Sequence, residues 1–146
     1  MSGELLEEEL LAAWVGLSGL LKASRITSTM RYNEAVVMRL VYARYRQDGV
    51  GRTPVSEIVR QTNMLKSLVN RTVGSLCRQG YLCTERGAED ARTLFVRPVP
   101  QRLPDFLTVH RRSLALARQI IALVGRQDAQ CFVRMYQKIR AAGVRL

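Results

Sequence analysis

The chain has 146 residues, a formal net charge of +11 and a pI of about 10.6; this length buries one core as a single domain, residues 1–146, and this charge favours a polyanionic partner, nucleic acid ahead of an acidic membrane surface. No apolar run approaches the ~20 residues of a membrane span, so no membrane partner is expected. Cys77, Cys83 and Cys131 form no CxxC pair and His110 is the one histidine, which argues against a structural zinc site; no metal or other cofactor is expected.

The N-terminus reads Met-Ser-Gly and turns acidic at Glu4, Glu7, Glu8 and Glu9. It lacks the basic region of a secretory signal, so a cytoplasmic protein with reduced cysteines is expected. Residues 4–24 predict a helix: Leu6, Leu10, Ala13, Leu17 and Leu20 recur at helical spacing, with Trp14 and Leu21 beside them. That leucine-rich face is wide for a helix at a chain end, and it wants a partner. A second helix is predicted over 33–47, with Asn33 as N-cap, Glu34 at the positive end of the dipole, and Val37, Leu40, Val41 and Tyr45 inward. Asp48-Gly49-Val50-Gly51 ends it.

Thr53-Pro54 reads as a helix start, a capping hydroxyl followed by proline at the first helical position. The helix is short, residues 54–61, with Val55, Ile58 and Val59 inward. Thr62-Asn63 makes a turn, and a further helix covers 65–79, closed by Gly80. Two short strands, 82–86 and 93–97, flank the polar loop 87–91 and form a hairpin. Pro98, Pro100 and Pro104 close the strand region. A long helix covers 103–124, Gly125 breaks it, and a last helix covers 127–142, with Phe132, Met135, Tyr136 and Ile139 on one side. The expected fold is therefore mainly α with a small β-hairpin.

The helix after the Thr62-Asn63 turn has two faces. Leu65, Leu68, Val69, Thr72, Val73 and Leu76 point inward, while Ser67, Asn70, Arg71, Gly74 and Arg78 share an outward stripe. Arginine can take guanine O6 and N7 together, asparagine can take adenine N6 and N7, and serine can reach bases or phosphates. Lys66 in the first turn suits a phosphate. Gly74 costs roughly 1 kcal/mol against alanine in mid-helix. It reads equally as close approach to a groove or as packing against another helix. A polar helix face alone is an ordinary solvated face; the hairpin downstream makes it more. Arg86 and Arg92 flank its loop, and arginine at a hairpin tip suits the negative potential of a minor groove. Asp90 pairs with Arg92 or Arg86 and fixes its direction.

These residues resemble the MarR family of bacterial winged-helix regulators. Thr53-Pro54-Val55-Ser56-Glu57-Ile58 looks like the start of the family's first motif helix. Met64-Leu65-Lys66-Ser67-Leu68-Val69-Asn70-Arg71 looks like its recognition helix, and Leu76-Cys77-Arg78-Gln79-Gly80-Tyr81-Leu82 like that helix's exit. Arg86 with Asp90 and Arg92 matches the wing signature. The match covers about residues 30–97. It implies a winged helix-turn-helix lobe over 30–98, with dimerisation helices over 1–29 and 99–146. It further implies a homodimer, a pseudo-palindromic operator, Arg92 in the minor groove with Asp90 supporting it, and a small aromatic or lipophilic effector. Val96-Arg97-Pro98-Val99-Pro100 departs from the family's usual exit from the wing.

Trp14, Tyr32 and Tyr42 are candidates to line an effector pocket, although aromatics at helical spacing are more often core. Cys77 and Cys83 read as buried small hydrophobes. With no carboxylate cluster for Mg²⁺, no Cys/His pair at a suggestive spacing and no glycine-rich phosphate loop, no catalytic residue is assigned and the chain reads as a non-enzyme. The reading is thus a sequence-specific double-stranded DNA-binding transcription regulator, probed against a sequence-nonspecific architectural DNA binder. Arginine outnumbers lysine (only Lys22, Lys66 and Lys138), which fits phosphate and guanine contacts and equally a GC-rich genome.

Overall fold

The computed structural model describes residues 3–23 and 30–143. The chain divides into two compact units, Met1–Val109 and His110–Leu146. The first contains α1 (Gly3–Ala23), α2 (Tyr32–Asp48), β1 (Thr53–Pro54), α3 (Val55–Thr62), α4 (Lys66–Arg78), β2 (Leu82–Arg86), β3 (Leu94–Pro98), a short 3-10 turn (Pro100–Arg102) and the start of α5 (Leu103–Val124). The second contains the rest of α5 and α6 (Arg126–Ala141). Ser24, where the sequence puts the end of the first helix, lies outside the described residues.

The core of the first unit forms where apolar faces of α2, α3 and α4 meet the sheet. Val37, Met38 and Val41 of α2 pack with Ile58, Val69, Leu76 and Val96, and Phe106 and Val109 of α5 join them. Each such side chain stabilises the fold by about 1.5–3 kcal/mol of apolar burial. Of the inner face predicted for α2, Val37 and Val41 are buried, and Leu40 and Tyr45 are half-buried. Met38 and Glu34 are buried as well.

The sheet has three strands in the order β1-β3-β2, all antiparallel. The sequence predicts only the hairpin. Thr53 and Pro54 pair with Val96 and Phe95 as a third strand, so Thr53 does not cap α3. Its hydroxyl donates to the Gly51 carbonyl at 3.1 Å, and Pro54 takes the N-cap position instead of the first helical one. Asn33 likewise is not the cap of α2. The cap is Arg31, whose backbone N–H donates to Glu34 Oε1 at 3.2 Å. The second hairpin strand is displaced by one residue and runs through Pro98.

Gly51 is buried at φ +74, and a Cβ there would lie 2.8 Å from the Pro98 ring and 3.0 Å from Tyr45 Cβ. This close approach clips the exit of α2 onto the end of β3. The joint from the wing is short and proline-bound: the Val99 N–H donates to the Tyr81 carbonyl at 2.9 Å, and the 3-10 turn then leads into α5.

α1 has no buried residue; Leu10 is 61% exposed and Leu6, Leu11, Val15 and Leu20 are exposed with it. In the second unit Gly125, at φ +93, separates α5 from α6. Phe132, Met135, Tyr136 and Ile139 of α6 are all exposed. No helix among the described residues is long and apolar enough to cross a membrane.

Candidate nucleic-acid interface

α3, its turn and α4 form a helix-turn-helix whose corner is set by local hydrogen bonds. The Thr62 hydroxyl donates to the Ile58 carbonyl at 2.7 Å and accepts the Met64 N–H at 3.2 Å. Asn63 takes the left-handed conformation at φ 56 and its N–H donates to the Val59 carbonyl, which ends α3. At the other end of α4, Gly80 at φ +82 and the Tyr81 N–H bound to the Leu76 carbonyl send the chain into β2.

On α4, Val69, Thr72, Val73 and Leu76 are buried and Leu68 half-buried. Leu65 is not inward: it is 75% exposed, because it is the N-cap with extended backbone and falls off the helical face. Lys66, Ser67, Asn70, Arg71 and Arg78 are all exposed. A Cβ at Gly74 would meet only the Arg78 guanidinium, at 3.4 Å. Among the described residues Gly74 therefore packs against no other helix.

An open groove of about 760 Å³ runs beside this stripe. Asn70, Arg71, Gly74 and Arg78 line one side, and Arg31 and Asn33 at the start of α2 line the other. Beneath lies Glu34, only 4% exposed. Its Oε2 accepts from the Ser75 hydroxyl at 3.3 Å and from the Gln79 amide, so one carboxylate ties the first turn of α2 to the last turn of α4. Arg31, Asn33 and this role of Glu34 were not visible in the sequence. The glutamate reads there as a helix-dipole residue, and its Ser75 and Gln79 partners lie more than forty positions away.

The wing places Arg86 at the end of β2, opposite Leu94. Asp90 chooses Arg92 over Arg86: its Oδ1 accepts the Arg92 backbone N–H at 3.0 Å and Nε at 3.3 Å. The Arg92 side chain is 93% exposed, so the pair orients a guanidinium that remains in solvent. The loop is closed by the Gly87 N–H on the Thr93 carbonyl, at 2.9 Å. At the wing's base, Arg52 reaches Glu85 and stacks on Phe95. Nothing in the sequence signals this contact, since Arg52 there is one loop charge among many.

The aromatic candidates differ in setting. Trp14 is 53% exposed on α1 and Tyr32 is the exposed first residue of α2. Tyr42 is half-buried and meets Phe106 edge-on, with ring centres 5.4 Å apart. Cys77 and Cys83 are half-buried rather than fully so, and Cys131 is exposed. Burial, then the neighbouring Cys83, pushes the Cys77 thiol above its ordinary value and so keeps it protonated at neutral pH. No group of three or more His, Cys, Asp or Glu among the described residues could hold a metal ion.

This architecture is the winged helix-turn-helix fold of MarR-type transcriptional regulators. No protein-family model and no characterised protein matches the sequence, so the likeness is carried by structure. The transcriptional regulator BldR of Sulfolobus solfataricus superposes with a TM-score of 0.78 at 15% identity, over 97% of this chain and 99% of that one. BpsR of Bordetella bronchiseptica, whose DNA binding is regulated by 6-hydroxynicotinic acid, gives 0.73 at 13% identity over 93% and 98%. PcaV of Streptomyces coelicolor, in complex with its natural ligand, gives 0.68 at 14% identity over 99% and 95%.

Proposed function

We propose that this chain is a sequence-specific double-stranded DNA-binding transcription regulator that acts as a homodimer on a pseudo-palindromic operator. The observation that carries the reading is the exposed stripe Ser67, Asn70, Arg71 and Arg78 on α4, followed in the chain by a wing whose Asp90 aims Arg92 into solvent. α4 enters a major groove with Asn70 and Arg71 on base edges and Lys66 on phosphate, while Arg92 and Arg86 approach the adjacent minor groove. A dimer sets two such units on half-sites about one helical turn apart. Repression, relieved by a small aromatic or lipophilic effector, is the mode we assign. The regulation of BpsR by 6-hydroxynicotinic acid supports that class of ligand, and Trp14, Tyr32 and Tyr42 are its candidate lining.

The test is selection of bound duplexes from a random-sequence pool, followed by titration of the enriched site. Asn70→Ala and Arg71→Ala each lose about 1–3 kcal/mol at particular base pairs and little elsewhere. Equal binding to every duplex, with a steep salt dependence and no loss of discrimination in these variants, would instead establish an architectural DNA binder. Trp14 is the chain's single tryptophan. Its fluorescence therefore reports directly whether aromatic carboxylates or phenols bind near α1 as the DNA is released.

A further inference from the structure

The groove beside α4 carries arginines on both sides. Arg31 lies on the α2 side, and Arg71 and Arg78 lie on the α4 side. Among the described residues none of these three enters an ion pair, whereas Arg44, Arg52, Arg97 and Arg102 all do. Of the residues lining the groove only Glu34 is acidic. Its carboxylate is buried and occupied by the Arg31 N–H, Ser75 and Gln79. The groove therefore presents three unneutralised guanidinium groups, with Asn33 and Asn70 as further donors and no exposed carboxylate. Gly74 leaves its α4 side without a Cβ. At about 760 Å³ and open to solvent, the groove suits a passing strand better than an enclosed ion. Guanidinium forks match phosphate oxygens, and contacts to phosphate position a protein on DNA without carrying sequence information.

We propose that the α2–α4 groove seats one sugar–phosphate strand of the duplex, with Arg31 and Asn33 as backbone contacts that set how α4 enters the major groove. This rests on the DNA-reading role of α4 proposed above. It adds a contact surface on the helix before the helix-turn-helix, facing the base-reading stripe across one groove. Arg31 can be tested cleanly, because its bond to Glu34 uses the backbone N–H and survives loss of the side chain.

The experiment measures affinity for the duplex the full chain enriches from a random pool, as a function of salt, for wild type, Arg31→Ala and Arg31→Lys. Arg31→Ala is expected to flatten the slope of log K against log salt by ~0.9, which is about eightfold weaker binding at 0.1 M salt. Its selected sequence stays that of the wild type, and Arg31→Lys restores most of the slope. An unchanged slope in Arg31→Ala overturns the inference, as does a changed base preference. Displacement of wild-type protein from the duplex by millimolar inorganic phosphate, lost in Arg31→Ala at unchanged slope, also overturns it and marks a small-anion site. A wild type that selects a site while Arg31→Ala behaves identically sinks this inference alone. A wild type that binds no duplex at low salt sinks the DNA reading and this inference together.

Discussion

The Arg52 guanidinium lies 3.7 Å from the centre of the Phe95 ring, stacked over its face. Arg52 Nε also reaches Glu85 Oε1 at 2.5 Å, and Glu85 Oε2 is 3.6 Å from Arg97. Arg52 precedes β1, Glu85 lies on β2 and Phe95 on β3, so one side chain at the start of β1 touches both other strands. The Phe95 ring lies 3.3 Å from where a Cβ on Gly87 would stand, so the wing loop rests on the same ring. Arg52→Ala is expected to cost about 1 kcal/mol of stability, since a partly exposed cation–π contact gives ~0.5–1 and a half-exposed ion pair less than ~1. The sharper consequence is in DNA binding. If Arg52 acts by holding the wing, its effect on affinity shrinks when Arg92 is already alanine. A double-mutant cycle checks this, and additivity within ~0.3–0.5 kcal/mol would show that Arg52 does not act through Arg92.

Glu34 holds the joint between α2 and α4. Its carboxylate accepts from one backbone N–H, one hydroxyl and one amide, with no cation beside it in those bonds. Glu34→Ala removes all three. Ser75 and Gln79 are exposed enough to rehydrate, so the cost is expected near ~2 kcal/mol rather than the full sum. Glu34→Gln keeps the shape and one acceptor oxygen and is expected to cost about half as much. Urea midpoints measure both. Identical midpoints for Glu34→Ala and wild type would mean the cluster contributes nothing to holding α4.

Asp48 gives the chain a dependence on acid. Its carboxylate accepts the Gly51 and Val50 N–H groups at 2.8 Å each, and these bonds, with Arg44 nearby, hold its pKa below the ordinary 3.8. The folded state thus binds this proton less readily than the unfolded chain does. The resulting stability is present above the ordinary value and is lost as pH falls through the lowered one. Asp48→Asn keeps an acceptor for the turn but cannot titrate. It is expected to flatten the loss of stability below about pH 4. Parallel acid denaturation curves for the two proteins would remove Asp48 from the account.

Much of the helical frame was legible because it rests on periodicity. The bounds of α5 and of β2 agree with the sequence expectation residue for residue. Two of the misses are local motifs outcompeted by another partner, one distant and one local. Thr53-Pro54 carries a good helix-start signal, yet its backbone pairs with Val96 and Phe95, more than forty residues downstream. Asn33 is a good capping residue, yet the Glu34 carboxylate fixes the cap two residues earlier, at Arg31. The stripe on α4 was readable from spacing alone. The opposite side of its groove was not, because only the tertiary packing of α2 on α4 brings Arg31 to it.

α1 carries an uncovered apolar face. Leu6, Leu10, Trp14, Leu17 and Leu20 are all exposed on this helix, and no residue of it is buried. Soluble monomers rarely leave so continuous an apolar face in water. Phe132, Tyr136 and Ile139 of α6 are exposed in the same way. A two-fold interface between copies would cover identical patches at once, and it would bring two α4 helices to one duplex. Leu10→Glu places a charge in that patch without touching a core residue, so the fold of the helix-turn-helix should persist. Sedimentation is expected to show a dimer for wild type and a shift to monomer for Leu10→Glu. The variant should also lose most of its preference for a two-half-site duplex over a single half-site. A wild type that sediments as a monomer across the concentrations of the DNA titration would defeat the dimer reading. The α4 stripe would then have to read a single half-site.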